Sequence, residues 1–230
     1  MPAMIFWENC SAPAEHKRRR MKTHIYLIRH GQSKGNLKDL FLGHMDLDLS
    51  ELGYQQAEKA IDYFKEIHVD VIYASDLLRA YHTACPTARE KGLPIIKSEQ
   101  LRELFAGEWE GKTFAEIRKT PRGEAWWTDT GNAHPVGGES VAELQKRIVA
   151  EVSRIARENE GKTVCIFTHY TPIYALRTAW EGVPVSEMKN MPKPSNASIT
   201  HAVYENGEFS QLVEYANNAY LGDLDCPCRV

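Results

Sequence analysis

No run of the roughly 18 consecutive apolar residues needed to span a bilayer occurs in this 230-residue sequence, which argues against a spanning helix. The opening stretch, MPAMIFWENCSAPAEHKRRR, has a short apolar run with its basic cluster after it, the reverse of a secretory signal. Charge of one sign is also lacking: 28 Lys and Arg against 31 Asp and Glu leave a formal net charge of -3. Without a basic field there is no basis for binding nucleic acid by phosphate neutralisation, and any anionic ligand must be attracted locally. Cysteine is scarce and unpatterned, with five residues at 10, 85, 165, 226 and 228 and no CxxC spacing or matching histidine pairs. This excludes the common zinc patterns and a disulfide framework, and fits a reducing, cytoplasmic setting. Internal repeats and low-complexity linkers are absent too, so a single domain is expected.

What is present is alternation. Four short apolar runs, IYLI after His24, VIYA from Val71, LPII from Leu93 and VCIF from Val164, have the length and β-branched content of buried strands. Helical spacing lies between them: Ala57, Ala60, Ile61 and Phe64 after a Ser50 start, and Val141, Leu144, Ile148, Val152 and Ile155 after Gly137-Gly138. The pattern predicts an α/β fold in three layers, with helices flanking a mostly parallel sheet. ASITHAVYE and FSQLVEY around Asn206-Gly207 predict a closing hairpin. Pro86 is expected to kink or shorten the helix after VIYA. Residues 104–138, rich in Gly, Trp and charge, read as a lid or pocket wall with one short helical stretch near Phe114 to Ile117. The expected organisation is a disordered extension at 1–20, with Met21 a candidate physiological start, one domain at 21–222 and a tail at 223–230.

Three of the four apolar runs end in groups that bind or attack anions: Arg29-His30-Gly31, Ser75-Asp76 with Arg79, and Thr168-His169. Ligands of open α/β sheets bind at the carboxyl ends of strands, so these groups are expected to share one crevice. An imidazole with an ordinary pKa near 6.5 is a ready nitrogen nucleophile at neutral pH. Gly31 removes a side chain where a phosphate would approach the backbone. With Asp76 as N-cap, Arg79 would lie in the first turn of a helix whose N-terminus faces an anion. Each feature also has an ordinary reading: a capped histidine at a strand end, a surface ion pair, a structural histidine. The leaving group of an alkyl phosphate needs an acid, and Glu99, Glu103, Glu108 and Glu110 all compete for that role by spacing.

Four blocks, YLIRHGQSKGN, ASDLLRAYHTA, LRELFAGEWEG and FTHYTPI, together resemble the histidine phosphatase superfamily, the phosphoglycerate mutase-like family, from about His24 to about Gly222. PVGGES and the late NASIT segment are similar to family features as well. The resemblance implies a phosphoglycerate mutase-like fold and His30 as the phospho-acceptor. Arg29, Arg79 and His169 would complete the phosphate pocket, with Glu103 as proton donor, Asn36 as a further phosphate contact, and no metal or other cofactor. FAGEWEGKTFAEI after Glu103 resembles the phosphatase branch, whereas mutases typically place Arg-His-Tyr-Gly there. The implied activity is a phosphomonoesterase acting on a small phosphorylated metabolite. The alternatives are a bisphosphoglycerate-dependent mutase and an inactive scaffold of the same fold.

The chain departs from the family pattern at three places. Leu42 precedes Gly43 where Gln is frequent, Tyr170-Thr171 follow His169 where two glycines are common, and Tyr220 stands where a histidine is common. Tyr170 is therefore a candidate substrate contact. Trp109, Trp126, Trp127 and Phe114 read either as a wall for the leaving group or as packing. Lys34, Lys38, His44 and Lys112 read either as contacts to a second acidic group or as solvated charge. No nucleic-acid or membrane partner is expected; oligomeric state is open, with a homodimer compatible.

Overall fold

The computed structural model describes residues 21–129 and 133–226. The expected extension at 1–20, and with it Cys10, lies outside the described residues, as does the end of the tail from 227.

The apolar runs become the four parallel strands of one six-stranded sheet: β1 (Lys22–Arg29), β2 (Val71–Ala74), β3 (Ile95–Lys97) and β4 (Thr163–Thr168). The remaining strands, β5 (Ile199–Glu205) and β6 (Glu208–Asn217), form the hairpin. The order is β3-β2-β4-β1-β5-β6, with β1 to β4 parallel and β5 and β6 antiparallel. Asn206 and Gly207 both take positive φ, 56° and 77°, as a tight hairpin turn requires. Strands buried on both faces carry no alternation, and Ile25, Leu27 and Ile28 of β1 and Val164 to Phe167 of β4 are all fully covered.

Helices cover both faces. α1 (Glu51–Phe64) starts at Ser50, whose hydroxyl accepts from Gly53 N, and α2 (Leu78–Lys91) packs beside it. With Ile28, Ile72 and Phe167 they close one core. On the other face, α5 (Val141–Glu158) begins in a capping box of Ser140 and Glu143. It buries Leu144, Ile148, Val152 and Ile155 beside α6 (Tyr170–Glu181). Two short helices, α3 (Phe114–Arg118) and α4 (Pro121–Thr128), form the segment predicted as a pocket wall.

Four local expectations are corrected. Residues 104–138 hold a second helix, α4, whose signal was present in Thr120 as N-cap and Pro121 at the first turn. Pro86 does not shorten α2, which continues to Lys91 while Ala84 and Ala88 stay packed in the core. Asp76 is not the N-cap of α2: that position is Leu77, and Asp76 instead holds Arg102 in a bidentate pair. Asp46 Oδ1, from the loop after β1, caps the helix by accepting from Leu78 N at 2.6 Å. Finally, the space beside Gly31 is taken by protein: a Cβ there would lie 2.5 Å from Gly53 O, so the glycine lets α1 approach β1.

Candidate active site

The cleft opens at the carboxyl ends of β1 and β4, neighbouring parallel strands that pair Arg29 with Thr168. His30 and His169 follow directly, and their rings stand edge to face with centroids 5.2 Å apart. Both are essentially buried, as are Arg29 and Arg79. His30 N donates to Thr168 O at 2.9 Å, locking the two strand ends together. From behind, Asn196 Nδ2 and Ala197 N both donate to His30 O, at 3.1 Å each. The NASIT segment is thus a backstop for the nucleophile's backbone.

The His30 ring has a forced tautomer. Nδ1 lies 2.7 Å from Gly31 O, an acceptor only, so Nδ1 carries the proton and Nε2 keeps its lone pair. Burial, then the charges of Arg79 and Arg29, hold the His30 pKa well below 6.5, with the bond to Gly31 O opposing them. His169 is lowered in the same way, by burial first and then by Arg79 and His30. Both rings are therefore neutral near pH 7. Among the described residues neither nitrogen of His169 has a partner, and both are buried: a polar group held at a cost that an incoming oxyanion would offset.

The arginines are fixed by backbone carbonyls. Arg29 Nη1 donates to Pro194 O at 2.7 Å. Arg79 donates from Nη1 to Met45 O at 2.7 Å and from Nη2 to Gly43 O at 2.8 Å, while its Nε has no partner within the protein. Burial pushes the Arg79 pKa down to about 10, partly opposed by Glu103 and Asp46, so it remains a cation at neutral pH. Asn36 lines the cleft; its Oδ1 accepts from Ser33 N and Ser33 Oγ at 2.9 Å each, which leaves Nδ2 to offer to a ligand.

Of the four competing glutamates, only Glu103 lines the cleft. Its Oε1 accepts from Leu104 N at 2.8 Å and Thr171 N at 3.2 Å, which sets the carboxyl against the start of α6. Glu110 instead accepts from His44 N, and Glu99 pairs with Arg102 at the surface. Two residues hold Glu103 in place: Arg147, which the sequence does not single out, and His44, expected to meet a second acidic group or solvent. Arg147, on α5, donates to Gln100 O at 2.8 Å, Arg102 O at 3.1 Å and Glu103 O at 3.3 Å. His44 Nε2 donates to Glu103 O at 2.9 Å. The only signal for Arg147 is a charged residue beside the apolar stripe of α5, indistinguishable in sequence from a solvated one.

The remaining candidates divide. Tyr170 lines the cleft with its ring 5.0 Å from the Arg29 guanidinium. Trp126 and Phe114 line it as well, whereas Trp109 is buried beneath them and Trp127 packs on Phe114 and Arg118. Lys34, Lys38, His44 and Lys112 lie outside the lining, and Ser75 and Asp76 also stay out of it. No group of three or more His, Cys, Asp or Glu able to hold a metal ion occurs among the described residues, and no helix there is long and apolar enough to cross a membrane.

Two neutral histidines and Arg29 at adjacent strand ends, with Arg79 from α2 and Glu103 from a loop, form a constellation suited to phosphoryl transfer. The family model of the histidine phosphatase superfamily (branch 1) matches residues 25–218, and the chain belongs to that superfamily. Phosphoserine phosphatase 1 of Hydrogenobacter thermophilus is 33% identical over 167 residues, covering 71% of this chain and 78% of that protein. A glucosyl-3-phosphoglycerate phosphatase of Mycobacterium tuberculosis is 33% identical over 187 residues, 76% of this chain and 83% of its own length. Among solved structures, Bacillus stearothermophilus YhfR superposes with a TM-score of 0.82 at 30% identity, covering 86% of this chain and 99% of that one. With this membership and these relatives, the chain is a phosphoric monoester hydrolase.

Proposed function

We propose that residues 21–222 form one catalytic unit that hydrolyses a small phosphorylated metabolite through a phosphohistidine on His30, with no metal ion in the mechanism. The observation that carries this reading is the forced tautomer of His30, with Nδ1 bonded to Gly31 O and Nε2 left as the nucleophile on a ring that feels the charge of the buried Arg79 and Arg29.

The phosphoryl oxygens take hydrogen bonds from Arg29, Arg79, Asn36 and His169, which supply positive potential where charge grows. His30 Nε2 attacks phosphorus in line, the P–O bond to the alcohol breaks, and Glu103 gives its proton to the departing oxygen. In the second step water loses a proton to Glu103 and attacks the phosphohistidine, releasing phosphate and restoring neutral His30. Water as acceptor is favoured over a second alcohol by the FAGEWEG segment and by the phosphatase names of the relatives. Support for a reducing, cytoplasmic location comes from the free thiols Cys85 and Cys165.

The test is release of inorganic phosphate from a panel of esters with chelator present, for the intact protein and for His30→Ala. Turnover that survives chelation and disappears in the variant is expected. Turnover that is lost on chelation, or retained without His30, refutes the mechanism.

A further inference from the structure

The cleft has two chemically distinct ends. Beyond the arginines its lining is Leu40, Phe41 and Leu42 from the loop after β1, Phe114 at the start of α3, Trp126 of α4 and Tyr170 of α6. This wall is built, not collapsed. Phe41 meets Phe114 and Trp126 edge to face, at 5.7 and 5.8 Å between centroids. Backbone bonds pin its loop to the segment before α3: Phe41 N donates to Lys112 O at 2.9 Å, and Gly111 N to Phe41 O at 3.0 Å.

Charge is distributed just as unevenly. Among the described residues the only lysine or arginine side chains in the lining are Arg29 and Arg79, both buried at the phosphate end. Lys34 and Lys112 are exposed outside the lining, and Lys38 and Arg118 line a separate depression on the far side of Phe114, where Arg118 lies over the ring of Trp127 at 4.5 Å. His44 faces a separate depression with Phe105 and Arg147. The acidic group in the lining, Glu103, stands where the alcohol oxygen departs. A carboxylate on the alcohol would lose water against an aromatic wall, beside a carboxyl, with no cation among the described lining residues of that end to replace it.

Taking the phosphohistidine reading as its basis, we propose that the alcohol released is uncharged and apolar, aromatic or bulky aliphatic, and that this wall discriminates against phosphorylated acids. The chain then differs in substrate class from relatives named for phosphoserine and glucosyl-3-phosphoglycerate. The residue that marks the difference is Leu42, where the family pattern often has a polar Gln.

The test compares kcat/KM for two matched pairs with chelator present: phenyl phosphate against 4-carboxyphenyl phosphate, and 2-phenylethyl phosphate against 2-(4-carboxyphenyl)ethyl phosphate. In the first pair the carboxylated phenol is the better leaving group, so a preference for phenyl phosphate reports recognition and not chemistry. A preference of about 10- to 100-fold for the uncharged member of each pair is expected. Leu42→Lys should shrink that ratio by raising turnover of the carboxylated esters. Equal or faster turnover of the carboxylated members, with phosphohistidine still forming, overturns the inference alone. Absence of both phosphate release and phosphohistidine with all four esters overturns the phosphatase reading and the inference with it.

Discussion

The proposed phosphate end and the proposed alcohol end of one cleft are built by different means. At the phosphate end, Arg29, His30 and His169 sit at the tips of two hydrogen-bonded parallel strands, so their separation is set by a sheet spacing. At the alcohol end, Phe41, Phe114 and Trp126 come from a loop and two short helices, joined by ring contacts and by backbone bonds between the Phe41 loop and the segment that starts α3. Rigid strand ends suit a group that never changes, the phosphoryl. Side-chain packing on loops suits a group that varies among relatives. Glu103 lies on the boundary: it comes from a loop, yet Arg147 and His44 tie that loop's carbonyls to α5 and to the loop after β1.

Substitutions can break this division in order of size. Glu103→Gln should lower kcat by about 10²- to 10⁴-fold for alkyl phosphates, whose alkoxide needs a proton, and far less for 4-nitrophenyl phosphate. A plot of rate against leaving-group pKa measures this directly, steepening in the variant. Arg79→Met removes a phosphate ligand and leaves Gly43 O and Met45 O without a donor, so kcat/KM should fall about 10²- to 10³-fold for every ester alike. If that loss depended on the alcohol, the two ends would not be separate.

Arg147→Met should copy Glu103→Gln in miniature, with a loss of about 10-fold confined to poor leaving groups and partial recovery in Arg147→Lys. A uniform loss across leaving groups would assign Arg147 to general stability instead. The smallest effect concerns pH. The pKa values of His30 and His169 are held below 6.5 in the fold, so the unfolded chain binds their protons first as pH falls. Their stabilisation is complete above pH 6.5 and is lost progressively below it, by up to about 1.4 kcal/mol per pH unit for each ring. His169→Phe should flatten the fall in melting temperature between pH 6.5 and 5; an unchanged slope would show that His169 charges freely in the fold.

The two ends also differ in how far they can be read from the sequence. Strand ends announce themselves: an apolar run followed by Arg-His or Thr-His places the residue at the carboxyl tip, and Ser50, Ser140 and Asn206-Gly207 mark the neighbouring turns by local chemistry. The strand order is not local information. That β4 inserts between β2 and β1 is what joins His169 to His30, and it follows from non-local packing that no single segment encodes. Glu103 needed the family resemblance, because four glutamates share its segment and only the backbone amides of Leu104 and Thr171 single it out. The division of the tryptophans between wall and core was unreadable for a similar reason: Trp126 and Trp127 are adjacent, and a helix turns them to different neighbours.

The central claim is that His30 Nε2 takes the phosphoryl group. Rapid alkaline quenching during turnover, followed by mapping of the phosphorylated peptide, tests it most directly. An acid-labile phosphoryl group on His30 is expected, and it should vanish in His30→Ala. Phosphate release with the label on another residue, or with no covalent adduct trapped under any quench, would contradict the account.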